Sequence, residues 1–319
     1  MILLAVSGGA DSMFLMHRAP RLFPGASFAV AHCNFRLRGE ESDGDEQFVR
    51  AACRDKGLPC LVRRFDTAVH ASANGISIEM AARELRYRWF AGLCRGTAPE
   101  LAGTGIDGFE AVAVAHNADD NAETLLLNLI RGCGLRGLCA MSGESRVPED
   151  GDVPLLRPLL EIERDEITAW LQREGYSWRE DSSNAVNDCR RNTLRNKVFP
   201  LLRELNPAVI RTLTQDIRHF SEGNAIAEDY WEAFSEQIPH HGIEGIDVDF
   251  LLGFRHWKYL LWHYLEPCGF SAPTLEKLTA LLSKFREEPR GTVTLGGKTF
   301  ESPRWTLTIH RGKLKLDKR

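Results

Sequence analysis

With 319 residues, the chain is long enough for two domains, each with its own core. Its 43% apolar and 26% charged residues are ordinary for a globular protein, no run approaches membrane-spanning length, and no basic and apolar leader opens it; this argues against a membrane partner and makes the cytoplasm the expected location. The net charge of −4 conceals an asymmetry, since residues 189–218 carry +5 and residues 290–319 carry +6, a pattern of basic patches on an acidic body that suits a polyanion.

In chain order, ILLAV (2–6), SFAVAH (27–32), CLVRRF (60–65) and EAVAVAH (110–116) read as buried strands, and the stretches between them read as helices. Such alternation predicts an α/β fold, a doubly wound parallel sheet with helices on both faces. In that fold ligands sit beyond the carboxyl ends of the strands, where the strand order reverses. The first strand runs into Ser7-Gly8-Gly9-Ala10-Asp11-Ser12. A Gly-Gly turn entering a helix offers backbone N–H groups to an anion, the hydroxyls of Ser7 and Ser12 add donors, and Asp11 beside a phosphate implies a bridging Mg²⁺. The second strand's end puts Ala31, His32 and Asn34 near an expected adenine. On IEMAARELRYRWF, Ile78, Ala82, Leu85 and Trp89 predict the core stripe, while Glu79, Arg83 and Arg86 share a neighbouring stripe, either a solvated ladder or a face turned to the nucleotide. AHNADDNAET places Asp119, Asp120 and Glu123 in one arc of a helix start, as N-terminal acids or as a pocket for an ammonium group.

RPLL and an amphipathic helix over 161–174 follow, then YSWRED (176–181) as a further strand. Helical texture resumes over 189–235, punctuated by Pro200 and Pro207. IPHHGIEG (238–245) reads as a loop, followed by helices at about 247–265 and 273–287 and by TVTL-GG-KTF as a hairpin. GTVTLGGKT (291–299) approaches a Walker A spacing but lacks the following helix, and the turn after the first strand is not a G-x-G-x-x-G. The division is expected at 1–210 and 211–319, the second, smaller domain being mostly helical α+β with a terminal hairpin. The eight cysteines include no C-x-x-C pair and read as reduced, mostly buried thiols.

SGGADS after an N-terminal strand resembles the PP-loop of the ATP pyrophosphatase (adenine nucleotide alpha hydrolase-like) family. HCNFRLRGEES, EMAARELRY, AHNADDNAETLLLNLIRGCGLRGL, RPLL and DSSNAVNDCRRNTLRNKVFPLLRELNP narrow the likeness to a tRNA-modifying branch of that family, over nearly the first 210 residues. The resemblance implies a Rossmann-like PP-loop ATPase fold with ATP and Mg²⁺ as cofactors. It implies adenylation of the wobble cytidine of a CAU-anticodon tRNA(Ile), then displacement of AMP by free lysine. Carried over, Ser7 to Ser12 hold the phosphates, Asp11 the metal, and Asp120 and Glu123 the lysine amine, with Arg83 near the reacting centre. Arg190, Arg191, Asn192, Arg195 and Lys197 are then the expected tRNA contacts, which suits their spacing. The resemblance allows a homodimer and implies a further small C-terminal domain, which KLKLDKR stops short of. The alternative is a PP-loop tRNA thiolase, which also adenylates a base but inserts sulfur and needs working cysteines; Cys133 and Cys139 flank a glycine-rich turn.

Overall fold

Along the first strand, Ile2, Leu4 and Val6 bury into one apolar cluster and Leu3 into another. That period-2 split is what a strand covered on both faces requires. The computed structural model describes all residues except 149, 181–189, 239–244 and 290. They form two units, Met1–Glu222 and Gly223–Arg319, parting inside a helix. Among the described residues no helix is long and apolar enough to cross a membrane.

In the first unit β1 (Ile2–Ala5), α1 (Ala10–Leu22), β2 (Phe28–Asn34), α2 (Glu40–Asp55), β3 (Cys60–Arg64), α3 (Thr67–Asn74), α4 (Ile78–Cys94), β4 (Ala111–Ala113) and α5 (Ala118–Arg131) alternate as expected. A short α6 (Leu135–Leu138) precedes β5 (Glu144–Arg146), β6 (Pro154–Leu156) and α7 (Arg164–Arg173). The sheet order is β3-β2-β1-β4-β6-β5, parallel except for β5 at the edge. The order reverses at β1, whose neighbours are β2 and β4, so the switch point lies where SGGADS leaves the sheet. One face is covered by α4, through Tyr87, Trp89 and Phe90; the other by α1, α2 and α7, through Met13, Val49 and Ile167.

Two local expectations are corrected. Residues 176–180 form no strand, since Tyr176 instead stacks on His17 with ring centroids 3.6 Å apart. Ile78 is exposed and Leu85 half-buried: the core stripe of α4 is rotated onto Tyr87, Trp89, Phe90 and Leu93, because the aromatic rings bury more area than Ile78. β5 and β6, three residues each, are too short to announce themselves, and β5 is polar as well. DSSNAVNDC (181–189), Cys189 included, lies outside the described residues.

The unit continues with α8 (Arg190–Thr193), a π-helical turn (Leu194–Val198), α9 (Phe199–Leu205) and α10 (Val209–Ser235). Leu194, Phe199, Val209 and Ile210 bury against Ala118, Ala122 and Leu127 of α5. In the second unit β7 (Ile246–Asp247), α11 (Val248–Gly253), α12 (Trp257–Leu265) and α13 (Ala272–Glu287) precede β8 (Lys298–Glu301), β9 (Trp305–His310) and β10 (Lys313–Lys318). The strands form an antiparallel sheet ordered β7-β10-β9-β8 around a core that includes Trp257, Leu260, Leu278 and Leu307. The expected TVTL-GG-KTF hairpin is not formed. Residues 292–295 are not a strand; Leu295 drops into the core and Gly297 N–H bonds Ile309 O at 3.0 Å, so the partner of β8 is β9.

Candidate functional site

After β1, Val6 N–H still bonds Ala31 O at 3.0 Å, and then the chain turns. Gly8 has φ +101°, a conformation side chains rarely adopt, whereas Gly9 is extended and caps α1 with no side chain. Ser12 closes the loop internally. Its Oγ accepts from Ser7 N (3.1 Å) and Gly8 N (3.2 Å) and donates to Gly9 O (2.9 Å). The first helical bond of α1 runs from Met13 N–H to Gly9 O, so the N–H groups ahead of it have no partner within the helix.

This loop borders a cavity of about 1070 Å³ at the carboxyl ends of β1, β2 and β4. Ser7, Gly9, Ala10, Asp11 and Ser12 line it; the Gly8 carbonyl instead accepts from Arg179 N at 2.9 Å. From β2 the lining residues are Ala31 and Cys33, followed by Phe35. His32 and Asn34 point the other way by strand alternation, which corrects their expected place beside a nucleotide. His32 Nδ1 donates to Val6 O at 2.9 Å, and Asn34 Nδ2 donates to Asp43 (2.9 Å) and Glu46 (3.0 Å). Burial lowers the His32 pKa, so it is a neutral brace for the strand end.

Asp11 Oδ1 accepts from Asn117 Nδ2 at 3.0 Å. Burial raises its pKa, opposed by the charge of Arg164 and reinforced by that of Asp120. Two cavity carboxylates, Asp11 and Asp120, suit a hard cation that keeps water and phosphate oxygens as its other ligands. Among the described residues no group of three His, Cys, Asp or Glu is arranged to hold a metal by itself. His116, also in the wall, is pushed down to about 4 by burial and is neutral at pH 7.

Asn117 caps α5 in a reciprocal box with Asp120. The three acids of that helix start are each matched by an arginine from the basic segment. Arg203 Nη2 bonds Asp119 at 2.8 Å. Arg195 bonds Glu123 through Nε (2.7 Å) and Nη2 (3.0 Å), and Asp120 through Nη2 (2.9 Å). Arg191 lies 3.5 Å from Glu123 and donates to Thr124 Oγ1 at 3.0 Å. Glu123, 1% exposed, is outside the cavity lining, while Asp120 is in it. The acidic arc is therefore not an empty ammonium pocket, and Arg191 and Arg195 face inward; Arg190 and Lys197 are exposed and Asn192 is half-buried. The cause is Glu123: a carboxylate so buried needs a cation beside it.

Arg83 is exposed, its guanidinium 4.9 Å from the Tyr87 ring centre, and it does not line the cavity; Arg86, one turn on, does. Sequence reasoning missed the opposite wall. Arg164, Thr168 and Gln172 form an i, i+4, i+8 stripe of α7, and Trp178, Arg179 and Glu180 follow. The polar stripe beside the buried Ile167 and Leu171 was a readable signal; the 178–180 segment had none.

A doubly wound sheet with SGGADS at its switch point and a cavity above it defines a nucleotide-binding α/β domain. The PP-loop domain family matches residues 1–202, and the chain belongs to it. Residues 240–319 match the TilS substrate binding domain. Among similar curated proteins, the tRNA(Ile)-lysidine synthase of Porphyromonas gingivalis is 49% identical over 288 residues, covering 88% of this chain and 58% of that protein. The tRNA(Ile)-lysidine synthase of Bacteroides thetaiotaomicron is 36% identical over 319 residues, covering 99% of this chain and 67% of that protein. The chain thus spans somewhat under two thirds of the length of the first of these. Among solved structures, the U34-tRNA thiolase NcsA from Methanococcus maripaludis, determined with its [4Fe-4S] cluster, has a TM-score of 0.50 at 16% identity, over 69% of this chain and 72% of that one. That likeness is one of fold.

Proposed function

We propose that this chain ligates lysine to the 2-position of the wobble cytidine in a CAU-anticodon tRNA(Ile), with ATP converted to AMP and pyrophosphate. The observation that carries the reading is one cavity holding the SGGADS loop, the half-buried Asp11 and the cavity-facing Asp120, at the switch point of a PP-loop domain. In the adenylation step the cytidine O2 attacks the α-phosphorus, the bond to the β-phosphate oxygen breaks, and its electron pair leaves with pyrophosphate. Bound Mg²⁺, held by Asp11 with Asp120 beside it, supplies charge neutralisation on the phosphates. In the second step the lysine ε-ammonium gives up a proton to Asp120, the amine attacks C2, and the C2–O bond breaks with its electron pair leaving on AMP. Asp120 receives the ammonium at the cavity edge, with Glu123 and Arg195 fixing its position from behind.

The exposed Arg190 and Lys197, with the basic strands β8 to β10, are the phosphate contacts of the tRNA in this reading. The thiolase alternative rests on fold likeness alone, and its Cys139 Sγ is bonded to Leu135 O at 3.4 Å. The test supplies protein, ATP, Mg²⁺, labelled lysine and tRNA transcripts with CAU or altered anticodons. Label in the CAU transcript together with AMP and pyrophosphate is the expected result; ADP and orthophosphate overturn it.

A further inference from the structure

Four guanidinium groups line the cavity, and three have partners. Arg179 Nε bonds Asp45 at 2.8 Å, Arg195 serves Asp120 and Glu123, and Arg86 lies 5.5 Å from the Phe35 ring centre. Arg164, half-buried, forms no side-chain hydrogen bond or ion pair with any described residue. Its backbone is nevertheless held firmly. Arg164 N–H donates to Asp119 Oδ2 at 2.9 Å, and Ala118 N–H donates to Ile162 O at 3.0 Å, which clasps the start of α7 to the start of α5. On the other side Trp170 meets Phe14 of α1 edge-on with centroids 5.0 Å apart. The first turns of α1, α5 and α7 therefore converge on one space, with Thr168 and Gln172 continuing the polar stripe behind Arg164. A rigidly mounted, unpaired guanidinium opposite the open N–H groups of α1 is a fork for phosphate oxygens.

We infer that Arg164, backed by Thr168 and Gln172, binds the β- and γ-phosphates of ATP and carries the charge of the departing pyrophosphate. The inference rests on the adenylating reading above and deepens it by assigning the leaving-group site to α7. When the α-phosphorus bond breaks, the electron pair stays on the β-phosphate oxygen, and that added negative charge develops next to Arg164.

The experiment measures binding of magnesium pyrophosphate and, separately, of AMP to the intact chain by calorimetry, for the wild type, Arg164→Ala, Arg164→Lys and Thr168→Ala, with melting curves to compare folding. Arg164→Ala is expected to lose about tenfold or more in pyrophosphate affinity, as for a charge-assisted contact. AMP affinity should be unchanged, Arg164→Lys should restore part of the loss, and Thr168→Ala should show a smaller one. In turnover, Arg164→Ala should slow the formation of pyrophosphate from ATP about a hundredfold, with the KM for lysine unmoved. Equal pyrophosphate affinity in wild type and Arg164→Ala overturns the inference, as does a loss confined to AMP. If the wild type binds magnesium pyrophosphate through Arg164 but makes no AMP from ATP, the ligase reading fails while the phosphate site on α7 stands.

Discussion

Glu123 shows what a single side chain imposes on its surroundings. Its carboxylate is raised in pKa by burial, and the bidentate Arg195 opposes that. Arg195→Leu leaves the charge buried without its principal partner, and the expected loss is about 3–5 kcal/mol in a urea unfolding experiment. Arg195→Leu combined with Glu123→Leu should recover part of that loss. An Arg195→Leu variant as stable as wild type would mean that the arginine is not bound inward in solution. The two glycines of the loop separate in a similar way. Gly8→Ala places a methyl group at φ +101° and 3.4 Å from Val49 Cγ2, so a cost of at least about 1–2 kcal/mol is expected. Gly9→Ala meets nothing closer than Ser7 Oγ at 3.6 Å; it should melt like wild type but bind ATP more weakly, because its methyl group adds bulk beside the cavity. The identities of Asp11, Asp120 and the loop were legible in the sequence, because a loop's residues are contiguous. The arginine partners were not: Arg195 and Glu123 are 72 positions apart, and each looked like part of a separate charged patch.

At the scale of elements, strands β1, β2 and β4 could be read because each is an apolar run flanked by helical texture, and burial on both faces leaves no competing pattern; the edge strand β3 was carried by its Cys60-Leu61-Val62 start. The 190–213 segment could be read as helical but not placed. What places it is apolar: Leu194, Phe199 and Ile210 seat on α5, and the arginines at neighbouring positions are thereby carried to the acids of that helix. Phe199→Ala should therefore cost about 3–5 kcal/mol in denaturant unfolding, whereas Leu201→Ala, two residues on and 60% exposed, should fall within about 0.5 kcal/mol of wild type. Equal effects at both positions would show that α9 does not dock through Phe199. The Gly296–Gly297 turn illustrates the limit of local reading. Its glycines suit a hairpin, yet Leu295 gains more by entering the core of the second unit than by extending a strand, and β9, already paired with β10, accepts β8 on its other edge.

Across the first unit as a whole, buried ionisable groups dictate how stability responds to acid. His17, stacked on Tyr176, is pushed down to about 4 by burial and by the charge of Lys56, and His116 is lowered to about 4 chiefly by burial. Both are neutral when folded, while an unfolded chain protonates histidine near 6.5. Between those values the unfolded state binds more protons, so stability rises with pH; the contribution is complete above about 6.5 and is lost as pH falls toward 4. Glu46 acts in a lower window. Burial alone would raise its pKa, but hydrogen bonds from Arg64, Asn34 and Arg50 outweigh that and hold it at about 2, against an ordinary 4.5. Its contribution is present above 4.5 and disappears as pH falls toward 2. The expected outcome is a two-stage decline in melting temperature, one stage beginning below pH 6.5 and the other below pH 4.5. His17→Gln should make the first stage shallower, with His116 supplying what remains, and leave the second intact. Glu46→Gln should lower stability at pH 7, because Arg64 and Arg50 lose their charged acceptor, and flatten the second stage alone. A melting temperature that stays level from pH 7 down to 5 would contradict the buried, neutral state of these histidines, and with it the packing of α1 against the chain that follows α7.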